Sequence, residues 1–259
     1  MINLESLYDR AEGVVKSVEP LFTAGLGAAP EIEKSRGDFA TAIDLKLERI
    51  ISAELSAATG IPVSGEEFGG QHTEVFWIVD PIDGTANYAA GNPTCAILMS
   101  LVAYGRPVIG FSSIPFMSRR YGAYEGSPLF INGRAQPPLE PRPKVRSHIG
   151  ISSLSRTDDS YARTVRDMCA DFGYSSRLIG SVGVDLAFGA AGIFAAGVSL
   201  SPHLWDNAAG VVLAQASGAI VSDLVGNPWT ADSHGLIIGS QPCHEHLCTA
   251  FADLNQKER

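Results

Sequence analysis

The chain predicts a mixed fold of the α/β (α+β) class. Three features carry that reading. An unbroken apolar run, Val75 to Val79, is what a strand buried on both faces requires. Three strand-length segments, 96–104, 107–114 and 119–125, are separated by short turns and predict an antiparallel meander. The second half then alternates strand-like and helix-like stretches.

Taken in order, Leu4, Leu7, Tyr8, Ala11, Val14, Val15 and Val18 recur at helical spacing and predict an N-terminal amphipathic helix. A second helical pattern, Leu45, Leu47, Ile50, Ile51 and Leu55, follows the segment Asp38 to Asp44, where Asp and Thr also suit a helix start. The apolar strand and the meander complete the first half. The Pro-rich stretch Pro137 to Pro143 reads as the connection between two halves, residues 1–140 and 141–259. Beyond it the pattern predicts a strand at 147–152, a helix at 158–172, a strand at 175–179, helices at 182–192 and 206–217, strands at 219–223 and 235–239, and a final helix.

Composition narrows the class. With 259 residues, 45% of them hydrophobic, the chain can bury a substantial core. Its formal net charge of −9, with no Lys/Arg cluster, argues against nucleic acid as a partner. No apolar stretch is long enough to span a membrane, and the acidic, amphipathic N-terminus does not resemble a signal peptide. Cys95 and Cys169 sit in apolar surroundings and read as buried thiols of a reducing compartment, which points to the cytoplasm. Cys243-His244-Glu245-His246-Leu247-Cys248 offers zinc donors but has no second cluster, and it fits better as the start of the last helix.

The chemistry lies in four acidic segments. Asp80-Pro81-Ile82-Asp83-Gly84-Thr85 follows the apolar run directly, placing two carboxylates where a buried strand surfaces. Two carboxylates ~5 Å apart repel by about 3 kcal/mol at an effective dielectric of ~20, so their convergence calls for a counter-charge. An all-oxygen site of this kind suits Mg²⁺. Alone, the segment could equally be an Asp-Gly hairpin turn. Upstream stands Ser64-Gly65-Glu66-Glu67, open to a capping-box reading, and downstream Trp205-Asp206-Asn207-Ala208-Ala209-Gly210, where Asp206 also suits a helix N-cap. The fourth is Asp38-Phe39-Ala40-Thr41-Ala42-Ile43-Asp44.

Together, in this order, the segments resemble those of the inositol monophosphatase family of Mg²⁺-dependent, Li⁺-sensitive sugar and cyclitol phosphatases. The resemblance implies a layered α/β/α/β/α sandwich with the metal site between the halves, a homodimer, and hydrolysis of a small phosphorylated metabolite such as inositol monophosphate. It implies two or three Mg²⁺ ions: Glu66, Asp80 and the Ile82 carbonyl around the first, Asp80, Asp83 and Asp206 around the second, and Glu66 facing a weakly held third. Asp44 and Thr85 match the pair that activates the attacking water. Gly84 and Thr85 match the backbone donors to phosphate, and Gly180, Ser181 and Val182 the substrate edge. Glu67, Asp38 and Thr41 are expected to support these groups. Inositol-specific members carry an acid, seven positions before the residue matching Asp206, that binds ring hydroxyls; here that position is Ser199, which with Asp206 is expected to meet the substrate. The family's upstream Lys is also out of register, with Glu33 in its place and Lys34 one position off. Histidinol phosphate, fructose 1,6-bisphosphate and 3′-phosphoadenosine 5′-phosphate therefore stay open as substrates. A protein that uses the metals only to hold a phosphorylated ligand is the rival class, although retention of Asp44 and Thr85 argues for turnover.

Overall fold

A computed structural model describes residues 2–35, 38–140, 148–152 and 159–257; the side chains of 34, 35, 38, 159–164 and 255–257 lie outside the description. The first half runs α1 (Leu4–Ala24), β1 (Pro30–Ser35), β2 (Asp38–Thr41), α2 (Ala42–Thr59), β3 (Val63–Gly65), β4 (Val75–Asp83), α3 (Thr85–Ala89), β5 (Ala96–Ala103), β6 (Arg106–Ile114), β7 (Arg119–Tyr124), β8 (Phe130–Ile131) and β9 (Arg134–Ala135). The second runs β10 (His148–Ser152), α4 (Asp159–Asp171), β11 (Ser175–Arg177), α5 (Val182–Ala190), β12 (Ala196–Ser199), α6 (Leu204–Ser217), β13 (Ile220–Ser222), β14 (Leu236–Gly239) and α7 (Cys243–Lys257).

β3 to β9 form one sheet in sequence order, with β3 parallel to β4 and the rest antiparallel, so the expected meander is present. The second sheet has the order β11-β10-β12-β14-β13, parallel among its first three strands and antiparallel beyond. The period-2 alternation of strand side chains then builds the layers. From β4 and β5, Trp77, Val79, Ile97, Met99 and Leu101 pack with Tyr8, Val15 and Phe22 of α1 and Leu47, Ile51 and Leu55 of α2. On the opposite face of the same sheet, Ala96 and Leu98 meet α5 and α6 through Val184, Leu186, Val211 and Val212. Leu236 and Ile238 close that middle layer from the second sheet, while Ile237 turns outward onto Phe251 and Leu247 of α7. The result is the α/β/α/β/α sandwich, with α5 and α6 as the central helices.

Several elements differ from the sequence expectation. A short antiparallel hairpin, β1 with β2, stands between the first two helices, and α3 follows β4 immediately. β12, in a stretch to which the sequence pattern assigns no element, is a central strand of the second sheet. The Asp-Gly hairpin reading of residues 80–85 is corrected: β4 runs through Asp83, with an irregularity against β5 between Asp80 and Asp83, and Gly84 turns the chain into a helix. The Pro-rich connection is described only to Glu140, where Leu139 N–H donates to Ser217 O at 2.8 Å. Among the described residues no helix is long and apolar enough to cross a membrane.

Candidate functional site

The carboxylates gather where β4 ends. Asp80, Asp83 and Asp206 each offer an oxygen, and these atoms all lie within 4.8 Å of one another. Asp80 is buried, and its Oδ1 accepts from Ile82 N–H at 3.0 Å, a local turn that the intervening Pro81 favours. Burial, then the neighbouring Glu66, Asp83 and Asp206 carboxyls, push the Asp80 pKa well above the usual carboxylate range. Glu66 sits beside this group because its N–H donates to Val79 O at 3.0 Å, tying the loop to the end of β4.

Asp83 points at the start of α5. Val182 N–H donates to Oδ1 at 3.0 Å, Gly183 N–H to Oδ2 at 2.8 Å, and Ser181 Oγ also donates to Oδ2. Burial still pushes its pKa up to about 6, against the lowering effect of these donors. Gly84 makes the approach possible: its φ is 86°, and a Cβ there would meet Gly180 O at 3.1 Å and Ser181 Cβ at 3.2 Å. Asn87 fastens the same seam, donating through Nδ2 to Thr94 O at 2.7 Å and to Ile179 O at 2.8 Å. Gly180, Ser181 and Val182, expected at a substrate edge, are thus placed against the metal-ligand candidate Asp83 and the β4–α3 turn. Ser181 also caps α5 by accepting from Val184 N–H at 3.2 Å.

Asp206 is not the N-cap of α6, as one sequence reading had it. That position is His203, and Asp206 stands three residues into the helix, with Ser201 Oγ donating to its Oδ2. A carboxylate in a first helical turn is favoured by the helix dipole wherever the cap itself lies. Ser199 is fully buried in β12, and its hydroxyl accepts from Ser201 N–H at 3.2 Å, so this side chain faces the interior.

Asp44 joins the group from α2. Its Oδ2 accepts Thr41 N–H at 2.8 Å in a capping box, and its Oδ1 lies 3.4 Å from Thr85 Oγ1. Thr85 Oγ1 is also 3.0 Å from Ile82 O. Burial raises the Asp44 pKa, opposed mainly by the Thr41 hydrogen bonds. The helix-start reading of Asp44 therefore holds through Oδ2, while Oδ1 faces Thr85.

The capping-box reading of Ser64 with Glu67 gives way to a different support. Ser64 lies in β3 with its Oγ 3.2 Å from His72 Nε2, and the Glu67 N–H donates to Glu48 Oε2 at 2.8 Å. Phe68 N–H donates to Glu48 Oε1 at 2.9 Å, and a Cβ on Gly65 would stand 2.0 Å from that same oxygen. Glu48 is the anchor that sequence reading missed; its only signal was the four-residue spacing from Asp44, which sets both acids on one face of α2. The Asp38 side chain lies outside the described residues, and Glu33 is exposed on β1. The two histidines of the zinc alternative turn to different partners: His246 Nδ1 is 3.0 Å from Tyr174 Oη, while His244 Nε2 is 2.8 Å from Ser222 Oγ and His244 Nδ1 is 3.7 Å from Cys248 Sγ. Among the described residues only Asp80, Asp83 and Asp206 form a metal-capable cluster.

The model of the inositol monophosphatase family matches residues 3–256. A probable inositol 1-monophosphatase, ImpA, of Mycobacterium tuberculosis is 39% identical over 259 residues, covering 97% of this chain and 96% of its own. The inositol-1-monophosphatase ImpA of Mycolicibacterium smegmatis is 40% identical over 251 residues, covering 94% and 91%. Among solved structures, an IMPase of Thermotoga maritima superposes with a TM-score of 0.87 at 24% identity over 96% of this chain and 98% of its own, a likeness of fold.

Proposed function

The chain belongs to the inositol monophosphatase family, and on that premise we propose that it hydrolyses a small phosphate monoester, inositol monophosphate or a related cyclitol or sugar phosphate, with Mg²⁺. The observation that carries this reading is the convergence of Asp80, Asp83 and Asp206 oxygens within 4.8 Å. Asp80 and Asp83 are buried, and burial raises the proton affinity of both, with the Glu66, Asp83 and Asp206 carboxyls adding to the effect on Asp80. A divalent cation replaces the protons that relieve this crowding in its absence, and the all-oxygen donor set fits Mg²⁺.

In this reading Glu66, Asp80 and the Ile82 carbonyl hold one ion and Asp80, Asp83 and Asp206 a second. Bound there, the ions neutralise the phosphate dianion and acidify a water, which a chain of net charge −9 does not do by itself. The protein's own part is positioning. Thr85 has one hydroxyl proton and two candidate acceptors, Asp44 Oδ1 at 3.4 Å and Ile82 O at 3.0 Å. When that proton goes to Asp44, a Thr85 lone pair is left to accept a proton of the attacking water and fix its direction. The first-turn N–H groups at Gly84 and Thr85, where α3 has no side-chain cap, suit the phosphoryl oxygens.

Phosphate release from a panel of cyclitol, sugar, amino-alcohol and nucleotide monoesters, with Mg²⁺ and with EDTA, tests the proposal. Release is expected with Mg²⁺ alone, and Asp80→Asn is expected to lower kcat by on the order of 10³-fold, as loss of a principal electrostatic group does. Mg²⁺ binding without release from any ester would replace turnover by phospho-ligand binding.

A further inference from the structure

Two buried serines outside the expected ligand set share one arrangement. Ser201 Oγ accepts from His203 N–H at 3.1 Å and donates to Asp206 Oδ2. Ser181 Oγ accepts from Val184 N–H at 3.2 Å and donates to Asp83 Oδ2. In each case a backbone N–H fills a lone pair of the hydroxyl, so its proton is directed at the carboxylate. Ser201 is itself fixed on three sides. Its N–H donates to Ser199 Oγ at 3.2 Å, and its carbonyl accepts from Asn207 Nδ2 at 2.8 Å. Ser199, Ser201 and Asn207 are all buried, so water does not compete for these bonds.

We infer that Ser201 is a positioning residue for Asp206, holding its Oδ2 and so fixing the carboxylate that stands beside the Asp80 and Asp83 oxygens. The inference rests on the metal reading above and adds to it a determinant of metal affinity. A carboxylate side chain free to rotate must be ordered when an ion binds, and one already held by a hydroxyl need not be. The chain Ser199–Ser201–Asp206 further explains why Ser199, at the position expected to meet substrate, is turned inward. Its oxygen is the acceptor that seats Ser201.

The test is Mg²⁺ binding by calorimetry, with melting temperatures in EDTA and in saturating Mg²⁺, for the parent, Ser201→Ala and Ser100→Ala. Ser100 is an equally buried serine whose Oγ donates to Ile109 O at 2.7 Å within the large sheet, and it serves as the structural control. Ser201→Ala is expected to raise the Kd for Mg²⁺ about tenfold, in the range that outer-sphere partners command, and to shrink the metal-induced rise in Tm. Ser100→Ala is expected to lower the Tm in EDTA and leave that rise intact. Should Ser201→Ala not fold, Ser201→Cys keeps the volume while replacing a strong O–H donor by a weak S–H one, and carries the same expectation. A parent that responds to Mg²⁺ beside a Ser201 variant that responds equally overturns this inference alone. A parent with no response to Mg²⁺ overturns the metal centre and the inference together.

Discussion

Asp44 shows how one side chain serves two ends. Its Oδ2 closes the capping box with Thr41, which fixes the rotamer, and that leaves Oδ1 3.4 Å from Thr85 Oγ1. The cap is therefore what aims Oδ1 at Thr85. If Thr85 orients water through this contact, Thr85→Ala should lower kcat on the order of 10²-fold with little change in KM, and Thr85→Ser should recover most of the rate. Steady-state phosphate release on one ester decides it, and an unimpaired Thr85→Ala enzyme would sink the role. At this scale the sequence was informative but ambiguous. Asp44 and Asp206 both read as helix-start residues because a short carboxylate near unsatisfied N–H groups suits a cap whatever else the side chain does. The distance from Asp44 to Thr85, and the cap position of His203 ahead of Asp206, are what the structure adds. Ser201 carried no signal at all, since a serine five residues before an aspartate is common.

The elements converge by their N-termini. α2 brings Asp44 and α6 brings Asp206 in their first turns, α5 aims two N–H groups at Asp83, and α3 starts at Gly84 beside them. Each helix start contributes partial positive charge, of typical worth ~0.3–1 kcal/mol per facing anion, so the fold lightens the crowding of acids before any cation arrives. α2 has a second task, since Glu48, one turn beyond Asp44, grips the Glu67 and Phe68 N–H groups that set Glu66 in place. Glu48→Gln keeps one acceptor and turns an amide donor toward an N–H. It is expected to cost about 2 kcal/mol and to weaken Mg²⁺ binding through Glu66. Urea unfolding reads the first and calorimetry the second; unchanged metal affinity with lost stability would confine Glu48 to folding. Long, strongly periodic elements such as α1, β4 and the meander were legible. The β1–β2 hairpin was not, because Glu31 and Glu33 lie exposed on it and no apolar alternation marks a strand with one solvated face. α3 was missed because five residues are too few to show a period.

For the whole molecule the consequence is a fold whose interior stores acid. Besides Asp80 and Asp83, Asp185 is fully buried in α5, where Ser152 Oγ of β10 donates to its Oδ2 and, among the described residues, no hydrogen bond reaches Oδ1. It joins the central helix layer to the second sheet, and burial pushes its pKa up to about 8. At neutral pH it is therefore held largely as the uncharged acid. The sign of its effect on stability follows from proton counting. Between the unfolded value near 3.8 and the folded value of about 8 the native state binds a proton that the unfolded chain has lost. Stability from this group is full below that window, falls as pH rises through it, and is level above. The slope is at most about 1.4 kcal/mol per pH unit. Asp185→Asn preserves the shape without the titration, so its stability relative to the parent should rise steadily from pH 5.5 to 8 and then stop rising. Taking the difference between the two proteins at each pH cancels the shared carboxyls that do not interact with Asp185, while Asp83, whose charge raises the Asp185 pKa, adds a smaller coupled change. Urea unfolding in EDTA across pH 5.5 to 9 measures it. Parallel curves would show that Asp185 is ionised in the native state throughout, and that the orphaned Oδ1 has found a donor.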